Sequence, residues 1–288
     1  MSASGCSSST KRTERHDASI LEIDATRHGQ QALADIAAAV RAWRLWMAFG
    51  VADIRGRYRR TVIGPFWTTI NLGVMVVAVS AIYGQLFGRA PPNYFAFVAI
   101  GLVVWQFMST LLVESCSAFL HAAALLRNHT TPRFAQVLRV FWRNTVTLAH
   151  QLVIVLIALL ISDAKPGVMM VALSFVGFIL ASINLLWAGL LLALFSARFQ
   201  DIPPLVLGIM QLLFLVTPVF WSPEMLPMRL TILEANPIYH LIEVVRGPLL
   251  SQSPSAISWI VVSVGAIAGT AITLAIYRRY HWRIAYWV

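Results

Sequence analysis

Hydrophobic residues in this chain come in long unbroken runs, separated by short segments that hold most of the charge. No charged residue occurs from Thr61 to Gly88, and none from Ala90 to Val113, after which Glu114 alone interrupts a run that stays apolar to about Phe119. Asn144 to Ser162, Pro166 to Ala197, Ile202 to Phe220 and a stretch within Gly247 to Tyr277 follow. A helix needs about 20 apolar residues, at about 1.5 Å each, to cross a hydrocarbon core of about 30 Å. Six spans are expected, the fourth long enough to tilt. The sixth is placed at Ile257 to Tyr277, because Pro248 and "SQSPS" interrupt its start.

The polar segments have their own patterns. Residues 1–30 are rich in Ser, Thr and mixed charge and lack the apolar core of a signal peptide. They read as a disordered cytoplasmic tail. Residues 31–60 read as an amphipathic helix in the membrane interface, with Trp43, Met47, Phe49 or Gly50, and Ile54 near helical spacing and Arg41, Arg44 and Arg55 elsewhere around it. Residues 61–277 form the membrane-spanning domain and 278–288 a cytoplasmic C-terminal tail. Within the domain, the second half of residues 222–250 is too short to cross and is bracketed by Pro237 and Pro248. It reads as a re-entrant segment entering from outside.

Composition supports a membrane class. Of 288 residues, 58% are hydrophobic and 12% charged, well below the roughly 25% charged of a soluble domain. The net charge is +10, carried almost wholly by arginine, since only Lys11 and Lys165 are lysines. Isolated arginines are not a nucleic-acid footprint. They do set orientation, because cytoplasmic loops retain basic residues. With both termini inside, 18 of the 22 basic residues fall in cytoplasmic segments, and only Arg89, Lys165, Arg229 and Arg246 fall outside. Cys6 and Cys116 lie in unlike contexts and imply no disulfide framework.

The densest charge is "RGRYRRTVIGPFWTTI", where Arg55, Arg57, Arg59 and Arg60, with Tyr58, stand directly against the first apolar run. One reading is a membrane anchor at the level of anionic headgroups. The other is capture of an anionic, lipid-linked substrate, because guanidinium forks suit phosphate oxygens.

The stretch "DIRGRYRRTVIGPFW" resembles the entrance to the first span in type-2 ABC-transporter permeases that export polysaccharides, with Asp53, Arg57, Tyr58, Thr61, Gly64, Pro65 and Trp67 on matching positions. "ARFQDIPPLVLGIMQLLFLVTPVFW" resembles that family's turn into span five, through Arg198, Asp201, Pro218, Phe220 and Trp221. "ANPIYHLIEVVRGPLL" resembles its outer re-entrant segment, through Asn236, Pro237, Glu243 and Arg246. The likeness covers roughly residues 40 to 280, with the motifs in order.

The resemblance implies a transport subunit of the bacterial inner membrane, a homodimer moving a lipid-linked polysaccharide, with two copies of a separate ABC ATPase as partners. ATP and Mg would be bound by that partner: neither lysine lies in a G-x-x-x-x-G-K-[ST] loop, and no cofactor or metal is expected on this chain. The cytoplasmic segment between spans two and three is the expected coupling site, with Leu126, Arg127, Pro132, Arg133 and Arg139. Aromatic side chains toward the outer ends of the spans, Tyr83, Phe87, Tyr94, Trp105, Phe107, Phe220, Trp221 and Tyr239, are candidates for a glycan path; an interfacial aromatic belt is the other reading. Glu114 reads as interfacial and His150 as a hydrogen-bonded helix contact.

Three rivals differ in class. A related permease could move drugs or lipids. An ion-coupled transporter would need several intramembrane ionisable groups. An intramembrane enzyme would need a nucleophile and base, and Ser109, Glu114, His121 and His150 fall in no such motif.

Overall fold

The computed structural model describes residues 29–288 except 87–92, 128–130, 223–232 and 234, and except the side chains of Leu86 and Arg127. The expected tail at 1–30, apart from its last two residues, and Phe87 therefore lie outside the described residues. Among the described residues there are helices and connections and no strand. Helix α1 covers 29–41. It is followed by α2 (Trp43–Arg57), α3 (Phe66–Leu86), α4 (Tyr94–Cys116), the short α5 (Ala118–His121) and α6 (Ala123–Arg127), α7 (Phe134–Ile161), α8 (Val168–Arg198), α9 (Ile202–Val216), α10 (Pro237–Leu249), α11 (Ala256–Tyr280) and, after a single 3-10 turn, α12 (Ile284–Trp287).

Among the described residues, five helical stretches are long and apolar enough to cross a membrane: Phe66–Gln85, Tyr94–Cys116, Phe134–Ile161, Val168–Arg198 and Ala256–Trp287. The expected fifth span contains only the 15-residue α9, about 22 Å at 1.5 Å per residue. Its end has a local cause. Pro218 disfavours helical backbone at the residue before it, and Thr217 is extended, at φ −83° and ψ 135°. The buried segment 217–219 continues the chain without helix.

Two other boundaries moved. Helix α3 starts at Phe66 instead of Thr61, because Gly64 sits at φ 63° and Pro65 follows. Helix α7 starts ten residues before the expected Asn144, so most of the segment expected as a loop between spans two and three is helical. The charges that ended the apolar run, Arg139 and Arg143, lie on α7 itself and are paired with carboxylates.

Helix α4 is the centre of the bundle. It packs against α3, α7, α8, α9 and α10, and most of its residues are buried. Helices α4 and α7 run in opposite directions, whereas α8 and α11 run the same way, Asn184 meeting Val262 and Trp187 meeting Gly269. The end of α4 meets the start of α7 through Glu114 and Arg143, and its beginning meets the end of α7 through Asn93 Oδ1, which accepts from the Asp163 N–H at 2.9 Å. Gly101 lets the segment after α9 lie against α4: a Cβ there would collide with the Val219 carbonyl oxygen.

Helix α10 is not laid on the outside of this bundle but built into it. His240, Ile242, Val244, Val245 and Arg246 are buried among α4, α8 and α11. Arg246 is 2% exposed. It donates to the Pro218 carbonyl at 2.7 Å and to Glu243 at 2.9 Å, and its guanidinium lies 3.9 Å from the centre of the Phe97 ring. A buried guanidinium is tolerated when its donors are met in this way. The Asn236 side chain caps α10 by accepting from the Ile238 N–H at 3.0 Å.

Candidate functional site

The sequence motif at Asp53–Arg60 divides into two parts. Asp53 and Arg57 are one helical turn apart on α2, so they share a face. That face meets Arg139 and Arg143, also one turn apart, on α7. Asp53 accepts from Arg139 Nε at 2.7 Å and from its Nη2, and from Arg143 Nη1 at 3.0 Å. Arg143 Nη2 reaches Glu114 at 2.7 Å, Arg57 Nη2 reaches the other oxygen of Glu114 at 2.8 Å, and Asn144 adds a third donor at 2.9 Å. Three arginines and two carboxylates thus tie α2, α4 and α7 together at one end of the bundle. Burial by itself would raise the Asp53 pKa, but the Arg139 hydrogen bond and the charges of Arg139 and Arg143 outweigh it and hold the carboxyl below its ordinary value.

The rest of the motif is open. Arg55, Arg59 and Arg60 are exposed and make no ion pair among the described residues. Tyr58 closes α2 with its N–H on the Ile54 carbonyl, and Thr61 turns back to the Tyr58 carbonyl at 2.9 Å. Pro65 and Gly64 make the bend, the Pro65 carbonyl accepts from the Thr68 hydroxyl at 2.9 Å, and Trp67 is exposed. Helix α2 is not free in the interface either. Gly50 and Ile54 are buried, Gly50 lies against the α7 backbone, and Trp46 meets Trp142 edge to face at 6.4 Å. Trp43 remains about half exposed, with Arg44 stacked on it.

The residues expected to couple to a partner lie apart from one another. Arg139 belongs to the charged network and Leu126 is 1% exposed, in the core formed by α5, α6, α8 and the C-terminal turn. Arg133 lies at the start of α7, where Asp35 of α1 accepts its N–H at 2.8 Å and that of Phe134 at 3.0 Å. The Tyr277 hydroxyl donates to the same carboxylate at 2.6 Å, and the Arg133 guanidinium meets His281 at 2.7 Å. Pro132, half-buried, lines a groove of about 450 Å³ with Arg133, Asp35, Leu126 and His281. The Arg127 side chain is outside the described residues.

Three of the aromatic candidates come together. Tyr83 lies 5.1 Å from Phe220, Phe220 lies 5.4 Å from Phe214, and Phe214 lies 5.4 Å from Trp105, all between ring centres. The series runs from the far end of the bundle to the middle of α4. The Tyr94 hydroxyl holds it by donating to the Phe220 carbonyl at 2.5 Å. Trp221 and Tyr239 are not in it: Trp221 donates to the Leu215 carbonyl at 3.3 Å, and Tyr239 packs on His240. Phe107 is buried against Phe141 and Phe178. His150 bonds the Val146 carbonyl of its own helix at 2.7 Å and meets Phe66.

Sequence reasoning passed over Phe214, Arg143, Asn144, Asp35 and Tyr277. Arg143 had a signal, one turn after Arg139 on a run that turned out helical; the others look like ordinary residues of a span or a surface helix.

Among the described residues, a bundle of apolar helices with a charged knot joining an N-terminal helix to the start of one of them defines an integral membrane protein. The chain belongs to the ABC-2 type transporter family, whose pattern matches residues 44–250. Two relatives from Klebsiella pneumoniae, each an O-antigen export system permease protein RfbA, are 24% and 21% identical to it, each match covering 81% of this chain and 90% of the relative.

Proposed function

We propose that this protein is the membrane-spanning subunit of an ATP-driven exporter that moves a lipid-linked polysaccharide out of the cytoplasm. The observation that carries this reading is the likeness to two O-antigen export permeases over nine-tenths of their length. The exposed Arg55, Arg59 and Arg60 at the mouth of α3 support it, since they leave three guanidinium groups for a phosphate-bearing headgroup. Two copies of the chain form the passage, with both termini cytoplasmic and the arginine-rich end inside. Helix α9 with residues 217–222 makes the fifth of six crossings, and α10 is re-entrant from the outer side.

Hydrolysis of ATP, bound with Mg by a separate ATPase subunit, would supply the driving free energy. Residues of this chain do the rest. Arg55, Arg59 and Arg60 receive the headgroup, and the segment at 121–143, with Pro132 and Arg133 beside the α1 junction, receives the motion of the ATPase. The network through Asp53, Arg139, Arg143 and Glu114 carries that motion from α7 to α2 and α4. The Tyr83–Phe220–Phe214–Trp105 series offers ring faces to the apolar C–H side of passing sugars.

Deleting the gene should remove polysaccharide from the cell surface and leave lipid-linked glycan inside. The wild-type chain should restore export, and the double variant Arg59→Glu, Arg60→Glu should not. Normal surface polymer with altered sensitivity to a toxic amphiphile would instead identify a drug or lipid exporter.

A further inference from the structure

Among the residues of α4, only Gln106 is exposed, and it stands at the middle of the helix. Lipid tails offer an amide no hydrogen bond, so polar side chains within a span face a cavity or a partner. Ser109 and Thr110 lie on the same side, three and four residues on. The Gln106 amide donates to the Thr110 hydroxyl at 2.8 Å, and the Thr110 and Ser109 hydroxyls donate to the Gln106 carbonyl at 2.5 and 3.4 Å. Opposite them on α9, Gln211 is exposed and has no hydrogen-bond partner among the described residues. All four line one groove of about 430 Å³ between α3, α4 and α9, with Trp105 and Phe214 in its wall.

The groove has a defined place on the bundle. One turn beyond Thr110 is Glu114, where the arginine network begins. At the other end are Trp105 and Phe214, the first two rings of the aromatic series. The groove thus connects the arginine-rich end to the rings.

We propose that this groove is a saccharide-binding subsite, in which Gln106, Thr110 and Gln211 exchange hydrogen bonds with sugar hydroxyls before the chain reaches the aromatic rings. The inference rests on the glycan-export reading above. Amides both donate and accept, which matches the paired donor and acceptor character of neighbouring sugar hydroxyls. Trp105 and Phe214 supply apolar wall for the C–H faces. No charged side chain lines the groove, so a long chain can move through by trading one hydroxyl for the next without a fixed ion pair to break. A lipid tail would use none of the amide capacity, and an anionic headgroup would find no cation.

The test uses the full chain in a deletion strain, with Gln211→Leu and, separately, Gln106→Leu with Thr110→Val. Gln211→Asn is the conservative comparison. Four quantities are read: chain in the membrane, transporter assembled in detergent, pulse-labelled glycan at the surface, and lipid-linked glycan held inside. The apolar variants should be present and assembled at wild-type levels but export at least several-fold more slowly, with internal glycan rising, while Gln211→Asn keeps most of the rate. Wild-type export by both apolar variants would overturn the proposal. So would loss of assembly in Gln211→Leu, which would assign the groove to contact between two copies. If the wild-type chain itself failed to restore surface glycan, the export reading would fall first and the subsite with it.

Discussion

Glu114 holds more of the charged network than any other side chain, since one oxygen serves Arg57 and the other serves Arg143 and Asn144. Its side chain is 18% exposed and that of Arg143 13%. Removing one partner of an ion pair leaves the other's charge without compensation, at about 3–5 kcal/mol when fully buried and less when partly open. Glu114→Ala should therefore destabilise the protein by roughly 2 kcal/mol, read as a fall in thermal midpoint in detergent. Asp53 adds a pH signature. Its carboxyl is held below the ordinary value in the folded protein, so its contribution is fully present above the unfolded pKa of about 3.9 and is lost as pH falls through the lower folded value. The loss of midpoint in Asp53→Asn should be the same at pH 7 and pH 5.5 and shrink only below about pH 4. A penalty that already faded by pH 5.5 would mean that Asp53 titrates near neutrality and that the Arg139 pairing does not hold it.

At the scale of elements, the N-terminal helices are fastened to α7 at two points. Asp53 holds α2 beside the first turns of α7, and Asp35 holds α1 at its very start. A carboxylate there satisfies backbone N–H groups that the helix itself leaves open, and it meets the positive end of the helix dipole. Tyr277 on α11 completes the junction by donating to the same carboxylate, so that α1, the start of α7 and α11 meet at Asp35. Asp35→Ala should cost about 1–2 kcal/mol, the range for a lost helix cap. It should also free residues 29–41 for cleavage by protease at concentrations that leave the wild type intact. Asp35→Asn, which keeps an acceptor but not the charge, should fall between. Equal protease resistance in Asp35→Ala would show that α1 is held by its apolar face alone, through Ala32 and Ala39.

For the whole molecule, the connection after α10 and the segment after α11 lie at opposite ends of α11, and the arginine count predicts that the second of them is cytoplasmic. In a chain lacking Cys6, and with Cys116 buried, Gln252→Cys on the connection after α10 should react with a membrane-impermeant thiol reagent in intact cells. Arg283→Cys, past α11, should react only after the membrane is opened. The reverse pattern would invert the protein and place the exposed arginines of residues 55–60 on the wrong side for a substrate made inside the cell.

The sequence by itself determined the class of the protein, its family, and at least one end of each of the five long described helices to within about a turn. Run length and the exclusion of charge are properties of a line of residues, so they survive without knowledge of neighbours. The exceptions are instructive. Helix α7 extended through Arg139 and Arg143 because carboxylates 86 and 29 residues away in the chain neutralise them. The segment expected to be re-entrant is the helix α10, and its place within the bundle is set by Arg246, which meets Pro218, Glu243 and Phe97. Only the tertiary structure decided which of the many aromatic residues meet, and that Gln106 is the exposed member of α4. Helices such as α3 and α11 are apolar nearly all round, and such a helix carries no periodicity to mark the face that packs. That face is chosen by the helices beside it, and so is every site formed between them.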